Sequence, residues 1–302
     1  MSANTVAVYG LGNMGYLVAE RISQAFSLQV FDLSAEQLAR AGAAFGATPI
    51  SDPEQLAATR FVVLCLPYPA ASLSVLAEIA PHLPKDAVVI ETSTVNPADM
   101  QRSADVLAPH GLALIDASIL AGVSQMAAGT ASLLLGGDAS AISAARPVLD
   151  AITEKQIVFG TLGAGAAAKV INNAVAHAVM VVVAEAGAMA TASEVDVEQL
   201  IGLLSDTQMG LHRPLTYRYA NRVVNGDYSG GMPLDAARKD SELALSLAQS
   251  QRIPLFAIQA CHSVYELGAA AGYGREDYAA IAKLWADWGT PSAPGNPEFN
   301  RY

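Results

Sequence analysis

A glycine-rich turn decides the fold of this chain, and it reads Gly10-Leu11-Gly12-Asn13-Met14-Gly15. The turn follows the apolar run Val6–Tyr9 and leads into Met14–Gln24, where apolar residues recur at helical spacing. A strand, a turn of this pattern and a helix form the phosphate-binding element of dinucleotide-binding folds, in which the helix N-terminus offers unpaired N–H groups to the phosphates. We therefore expect Gly10, Gly12, Asn13, Met14 and Gly15 to bind a dinucleotide. The alternative is a strand-to-helix turn without a ligand.

An acidic residue follows the next apolar run. Leu28–Phe31 ends at Asp32, where a carboxylate can accept hydrogen bonds from the adenosine ribose hydroxyls. The same charge repels a 2′-phosphate, and no arginine stands beside it in Phe31-Asp32-Leu33-Ser34. We therefore expect NAD to be preferred over NADP. The alternative is that Asp32 only caps the following helix.

Short apolar runs recur through the first half of the chain. Each is rich in Val, Ile, Leu or Phe and lacks polar alternation, which is typical of strands buried on both faces. Segments that favour helices lie between several of them. The pattern predicts a mostly parallel sheet wrapped by helices, with further strands at Phe61–Leu66, Ala87–Ile90, Leu112–Ile115, Ser132–Leu135 and Ile157–Phe159.

The second half has a different pattern, which begins after the glycine-rich segment 160–165. No strand is predicted there, and four long helical stretches follow: Ala166–Ser193, Val197–Leu204, Leu234–Gln251 and Pro254–Ala271. We predict a Rossmann domain at residues 1–162 and an all-helical domain at 163–290, joined by a long helix. Residues 291–302 are rich in Pro and Gly and are predicted to form a flexible tail.

Composition narrows the function classes. The 302 residues carry a formal net charge of −11, from 17 basic and 28 acidic residues, so nucleic acid and anionic membranes are not expected partners. The longest uncharged apolar stretch, 170–184, is shorter than the roughly 18 residues of a membrane span, and a buried core helix is expected. No residues have zinc-ligand spacing, and two cysteines cannot make a disulfide framework, so we expect a cytoplasmic protein without a metal site.

A lysine stands near the start of the long predicted helix. Lys169 and Asn173 are four residues apart, so both project from one helix face among small and apolar residues. Burial of an ammonium group lowers its pKa, and a lysine near neutrality can exchange a proton with a hydroxyl group. The alternative is that Lys169 extends its ammonium into water from a helix end.

The segment around Lys169 resembles the Gly-x-Gly-x-x-x-Lys-x-x-Asn-Asn motif of the β-hydroxyacid dehydrogenase family, and the similarity extends from Val6 to about Ala271. The resemblance implies that Lys169 is the catalytic acid/base and that Asn173 is its polar companion at the substrate. It also implies a cleft between two domains as the active site, and a homodimer or homotetramer assembled through the long helix.

Three further motifs match the family's cofactor site. Leu66-Pro67 matches the Leu-Pro pair after the fourth strand, and Ser93-Thr94 with Pro97 matches a turn near the nicotinamide. Lys239-Asp240 matches the Lys-Asp pair of a later helix, whose lysine closes over the cofactor. The resemblance implies that Leu66, Pro67, Ser93, Thr94 and Lys239 bind the cofactor, and that Lys239 and Asp240 contact the substrate.

One motif departs from the family. The usual Asp-Ala-Pro-Val-Ser-Gly-Gly aligns with residues 116–122, which puts Leu120, Ala121 and Gly122 in the substrate-binding segment. Leu120 replaces the serine that holds the substrate carboxylate, so the segment favours apolar groups over a carboxylate. We hypothesise that Arg213 or His212 supplies the missing anion contact, although both could also belong to a surface or an interface between subunits.

Three functions fit these observations. The first is an NAD-dependent dehydrogenase or reductase of a β-hydroxy acid or a related alcohol or aldehyde, with Lys169 as general acid/base. The second is an imine reductase of the same fold; Leu120 and Ala121 favour it, whereas Lys169 and Asp32 do not. The third is an NAD-binding protein without catalysis, which would have no need of a proton-transferring lysine.

Overall fold

In the computed structural model, which describes residues 5–289, the N-terminal part forms one eight-stranded sheet. The strand order is β3-β2-β1-β4-β5-β6-β7-β8, and every neighbouring pair is parallel except β6 and β7. The strands are β1 (Thr5–Tyr9), β2 (Ser27–Phe31), β3 (Thr48–Pro49), β4 (Phe61–Leu64), β5 (Val88–Glu91), β6 (Ala113–Leu120), β7 (Ser132–Gly136) and β8 (Lys155–Gly160).

Helices cover both faces of this sheet. Alternate residues of β1 divide between two apolar cores, with Val6 and Val8 in one and Ala7 and Tyr9 in the other. The predicted sheet and its helices are therefore confirmed. The helices of this part are α1 (Asn13–Ser23), α2 (Ala35–Phe45), α3 (Pro69–Ile79), α4 (Pro97–Leu107), α5 (Val123–Ala127) and α6 (Ala139–Ile152).

The strand order creates a crevice for a ligand at the carboxyl ends of β1 and β4. β1 lies between β2 and β4, so the chain leaves β1 on one side of the sheet and crosses to the other side only when it reaches β4. The carboxyl ends of such strands form a crevice that binds nucleotides in open α/β sheets. The glycine turn follows β1 and Leu66-Pro67 follows β4, so both motifs lie at this crevice.

Three strand predictions differ from the structure. β3 was not predicted, because two residues are too short for a periodic signal. β4 ends at Leu64 rather than at Leu66. β6 continues to Leu120 instead of ending at Ile115, because the buried polar residues Asp116 and Ser118 interrupt the apolar run without ending the strand.

Beyond β8 the described residues are helical, apart from an isolated antiparallel bridge between Pro233 and Asp277. Contacts between Cα atoms divide the chain inside α7, into units Met1–Ala174 and Val175–Tyr302. The division at residue 162 stays a prediction, and the predicted tail at 291–302 lies outside the described residues. The helices are α7 (Ala164–Ala192), α8 (Val197–Ser205), α9 (Leu234–Ser250), α10 (Ala257–Ala270) and α11 (Lys283–Asp287).

Helix α7 does not match the expected buried core helix. By length and composition it could cross a membrane, with a mean hydropathy of 1.6 in its most apolar window, yet only 11% of that window is buried. Ile171 and Val175 are 64% and 58% exposed within the single chain. The apolar run therefore belongs to a helix that is largely exposed in the single chain.

Helix α10 is fastened to the later part of α7 by one carboxylate. Glu185 accepts hydrogen bonds from the N–H groups of Phe256, Ala257 and Ile258 at 2.5, 2.9 and 3.0 Å. Burial acts to raise the pKa of Glu185, but these three donors outweigh it and hold the pKa below its ordinary value. The charge also complements the positive end of α10.

Candidate active site

A groove of about 840 Å³ lies at the crevice of the sheet, and residues of the first unit line it. The structure brings eight of the predicted cofactor residues to its wall. Phe31, Leu33, Cys65, Tyr68 and Glu78 line it as well and were not predicted. The predicted residues in the wall are Gly10, Gly12, Asn13, Met14, Gly15, Asp32, Leu66 and Pro67.

Two glycines of the turn lie against nearby backbone atoms, and a third borders open space. A Cβ on Gly10, where φ is +95°, would lie 2.2 Å from the Cys65 carbonyl oxygen, and one on Gly15 would lie 2.1 Å from the Gly10 oxygen. Both positions exclude side chains. A Cβ on Gly12 would have no heavy atom within 4 Å, so the open space beside Gly12 can take a pyrophosphate.

The first turn of α1 is free to bind an anion. Its N-cap is Gly12, and no side chain caps this end of the helix among the described residues. The positive end of the helix therefore points its N–H groups into the groove without a protein acceptor. The groove, the open space at Gly12 and this helix end together fit a dinucleotide.

Asp32 is fixed by the backbone around it. Its Oδ2 accepts a hydrogen bond from the Leu11 N–H at 2.6 Å, and its Oδ1 accepts one from the Ser34 N–H at 2.8 Å. Each carboxylate oxygen keeps a further lone pair, so Asp32 can still accept from ligand hydroxyls. Ser34, not Asp32, accepts the hydrogen bond that caps α2, from the Gln37 N–H.

Ser93 is hydrogen-bonded to Leu66, a residue of the groove wall. Its hydroxyl accepts a hydrogen bond from the Leu66 N–H at 2.8 Å, while its own N–H donates to Glu91 Oε1 at 2.9 Å. Glu91 is 1% exposed, and burial raises its pKa. Sequence analysis missed Glu91, although a charged residue at the end of an apolar strand was a usable signal. Thr94 is exposed and does not line the groove.

The start of α7 is held by a buried carboxylate in β6. Asp116 is fully buried, and its two oxygens accept hydrogen bonds from the N–H groups of Gly163 and Ala166, each at 2.7 Å. Gly163 immediately precedes α7 and Ala166 lies in its first turn, so both donors belong to the start of the helix that carries Lys169. Sequence analysis aligned Asp116 with a motif but gave it no role; an acid inside an apolar strand was the available signal.

Lys169 lies less than two turns from this anchor. It is partly buried, and burial lowers its pKa, as the sequence predicts. Asn173 follows one turn later, is also partly buried and shares its helix face. This arrangement can hold a proton-exchanging amine and an amide donor side by side.

The predicted substrate-binding segment begins at the end of the same strand. Leu120 is the last residue of β6, and Ala121 packs against the apolar core. The Gly122 N–H donates to Gln125 Oε1 at 2.8 Å, which leaves it paired within the segment. The segment therefore presents a partly exposed leucine where the family pattern has a hydroxyl group.

The remaining predicted residues lie in the second unit. Lys239 and Asp240 are exposed and form an ion pair at 2.9 Å. Arg213 is exposed, with its guanidinium carbon 4.4 Å from the centre of the Tyr217 ring, and His212 is exposed beside it. Among the described residues, no group of three or more His, Cys, Asp and Glu side chains could hold a metal ion.

Comparisons with known proteins show which family the chain belongs to. A family model described as the NAD binding domain of 6-phosphogluconate dehydrogenase matches residues 5–163, more than half of the chain. A model described as the NAD-binding domain of NADP-dependent 3-hydroxyisobutyrate dehydrogenase matches residues 163–285. The 3-sulfolactaldehyde reductase of Escherichia coli (strain K12) is 32% identical over 281 residues, which are 91% of this chain and 94% of that protein.

Two solved structures share the architecture. The 3-hydroxyisobutyrate dehydrogenase of Mycobacterium tuberculosis with L-serine is 26% identical, with a TM-score of 0.64 over 92% of this chain and 97% of that one. The imine reductase of Streptomyces aurantiacus is 23% identical, with a TM-score of 0.83 over 93% of this chain and 99% of that one. The second likeness shows the fold alone.

The chain is an oxidoreductase of CH–OH groups that takes a nicotinamide cofactor and a small-molecule substrate. It belongs to the β-hydroxyacid dehydrogenase family, which confirms the resemblance stated from the Lys169 motif.

Replacing the Asp116 anchor tests how α7 is held. Asp116→Ala should lower the free energy of unfolding by about 3 kcal/mol, because two buried N–H groups lose their acceptor. Asp116→Asn keeps one acceptor oxygen and should lose about 1 kcal/mol. Urea unfolding followed by circular dichroism measures both. Asp105→Ala, an exposed aspartate of α4, is the control, and an Asp116→Ala variant as stable as that control would contradict this role.

Proposed function

We propose that this protein is an NAD-dependent dehydrogenase or reductase of a small β-hydroxy acid, or of the related aldehyde, with Lys169 as general acid/base. One observation carries the proposal: burial lowers the pKa of Lys169, on a helix anchored to the domain that forms the dinucleotide groove. A solvated surface lysine would not be held in this way.

A nicotinamide cofactor held in the groove by residues such as Gly12, Asn13 and Asp32 would supply the hydride acceptor for oxidation and, in its reduced form, the hydride donor for reduction. Lys169 Nζ, as the neutral amine, takes the hydroxyl proton during oxidation; as the ammonium, it donates that proton to the carbonyl oxygen during reduction. Asn173 orients the same oxygen by hydrogen bonding. The positive end of α1 binds the dinucleotide phosphates, and Ser93 holds the Leu66 turn beside the cofactor.

A spectrophotometric screen tests the reaction and the role of Lys169. NAD and NADP would be combined with hydroxy acids, hydroxy sulfonates and simple alcohols, and NADH and NADPH with cyclic imines, while reduced cofactor is followed by absorbance. We expect NAD-linked oxidation of a hydroxy compound, and a loss of kcat of about 100-fold or more in Lys169→Ala. Since oxidation needs the neutral amine, its rate should rise with pH through the lowered pKa of Lys169, whereas reduction should slow.

Lys169→Arg is the matched variant. It keeps the positive charge but cannot lose a proton near neutral pH, so it should bind NAD and fail to oxidise the substrate. A Lys169→Ala enzyme as active as the parent would contradict the mechanism. Binding of NAD without turnover of any compound would instead favour a protein without catalysis.

The preference for NAD rests on Asp32. Its carboxylate is held toward the groove by two backbone N–H groups and would repel the 2′-phosphate of NADP. We predict that Asp32→Ala raises kcat/KM for NADP by about 10-fold, because the repulsion of the 2′-phosphate is removed, and lowers kcat/KM for NAD. A tenfold change corresponds to about 1.4 kcal/mol. Steady-state kinetics with both cofactors measures the change. An unchanged ratio would show that Asp32 does not select the cofactor.

The anion contact of the substrate is proposed to come from Arg213 or His212 in place of the serine replaced by Leu120. The E. coli relative is named for 3-sulfolactaldehyde, so a sulfonate is tested beside carboxylates. Arg213→Ala should raise KM for an anionic substrate by about 10-fold and leave kcat within about twofold, because a charged hydrogen bond is lost in both ground and transition states. Unchanged KM would exclude Arg213; His212→Ala then tests the alternative.

An imine reductase is the second candidate, because Leu120 presents an apolar side chain to the substrate segment. The likeness to the S. aurantiacus enzyme supports only the shared fold. The cyclic imines in the screen discriminate between the two: turnover of imines alone would overturn the dehydrogenase proposal. Lys169 favours the dehydrogenase, because its ammonium can protonate an alkoxide oxygen.

A second copy of the chain is proposed to cover α7. Ile171, Val175 and Met180 are 64%, 58% and 62% exposed in the single chain, and such a surface favours association. We predict a dimer or a dimer of dimers in sedimentation equilibrium, and dissociation in Val175→Asp. Val123→Asp, an exposed valine of α5, is the control. A monomeric parent protein would contradict this assembly.

The cellular location of the protein is proposed to be the cytoplasm.

A further inference from the structure

A second cavity lies within the helical unit. It has a volume of about 530 Å³, and its lining shares no residue with the dinucleotide groove. One wall comes from the π-helical turn Pro214–Ala220 and the opposite wall from the segment 278–285. The lining consists of Pro214, Arg218, Tyr219, Val223, Tyr265, Tyr278, Ala279, Ile281, Ala282 and Trp285.

Arg218 is the charged group of this cavity. It is only 9% exposed, and its Nε donates to Asp277 Oδ1 at 3.2 Å. Its guanidinium carbon lies 4.2 Å from the centre of the Tyr278 ring and 5.7 Å from that of Tyr217. Among the described residues, no acceptor receives a hydrogen bond from Nη1 or Nη2, so the outer edge of a planar donor remains available in the cavity wall.

The carboxylate beside Arg218 is itself shared. Asp277 is 2% exposed and also accepts hydrogen bonds from the N–H groups of Ala279, at 3.0 Å, and Met232, at 3.4 Å. Arg213 acts on the same region: burial raises the pKa of Tyr278, and the charges of Arg218 and Arg213 oppose that rise. Arg218 is the guanidinium paired with this carboxylate, and Arg213 adds a further positive charge near Tyr278.

The rest of the wall is aromatic or aliphatic. Tyr265 and Tyr278 meet edge to face at 6.2 Å between ring centres, and burial is the main cause that raises the pKa of Tyr265 to about 12. Val223 is 3% exposed, and Ile281 and Ala282 add aliphatic surface. A few polar donors in a mostly apolar cavity of this size are typical of small-molecule sites.

We propose that this cavity binds an organic carboxylate with an aromatic or bulky apolar body. The carboxylate accepts two parallel hydrogen bonds from Nη1 and Nη2 of Arg218, and the apolar body packs against Tyr265, Tyr278 and Trp285. The site goes beyond the proposed dehydrogenase function, because its residues all lie in the second unit and none has a role in hydride or proton transfer.

The probe for this site is 3-phenylpropanoate, and its neutral amide is the comparison. Calorimetric titration of full-length Lys169→Ala protein without cofactor separates this binding from turnover at the proposed active site. We expect saturable binding of the carboxylate and at least 10-fold weaker binding of the amide. Equal affinity for both compounds, or no binding of the carboxylate because a second copy covers the cavity, would overturn the proposal.

Two variants assign the binding to the cavity. Arg218→Met should weaken binding of 3-phenylpropanoate at least 10-fold, but it also removes the partner of buried Asp277 and could unfold the unit. Ala282→Leu leaves that ion pair in place, fills the cavity and should reduce affinity at least 10-fold. Ala270→Leu, at an exposed position of α10, is the matched control and should bind like the parent. Undiminished binding in Ala282→Leu would refute the site.

Discussion

The hydrogen bonds from Gly163 and Ala166 to Asp116 are the constraint on which the proposed chemistry depends. Asp116 stands in the middle of β6, inside a sheet that cannot shift without breaking its neighbours. Because both carboxylate oxygens bind the first turn of α7, the start of this helix is fixed in position and rotation. Lys169 lies less than two helical turns from this contact, so its position is fixed as well. A proton-exchanging amine is useful only where it is held to a fraction of an ångström, and this contact supplies that precision.

The dinucleotide groove depends on the same sheet and lies at the same carboxyl edge as Asp116, at strands β1 and β4. Its walls come from the turns after β1 and β4, which are adjacent strands whose connections leave in opposite directions. Asp32 lines the groove and is held by two backbone N–H groups, and Leu66, which also lines it, donates its N–H to the Ser93 hydroxyl, so main-chain geometry sets these positions. Such groups need little reorganisation when a ligand binds, which favours affinity. Cofactor position and lysine position thus follow from one rigid scaffold.

Much of this was predictable from sequence because the signals are local. Apolar runs and the glycine spacing located the strands, the long helices and the groove residues to within a few positions. The features that the sequence did not predict depend on contacts between residues far apart in the chain. The Asp116 bonds join residues 47 and 50 positions apart, and Arg218 meets Asp277 across 59 positions, so no periodicity reports them. The exposure of α7 has another explanation: the length of the apolar run predicted a buried core helix and the family resemblance an interface between subunits, and composition does not distinguish the two.

The departure at Leu120 does not require any change in the chemical machinery. Leu120 ends β6 and pairs with Ser132 of β7 through backbone contacts that any side chain permits. Asp116 lies four residues earlier in the same strand, and its bonds to α7 do not involve the Leu120 side chain. Substrate recognition can therefore change at the end of β6 while Lys169 keeps its place. The Asp116 contact in the middle of β6 is present in this chain, so a leucine at the end of the strand leaves the start of α7 where the proposed mechanism needs it.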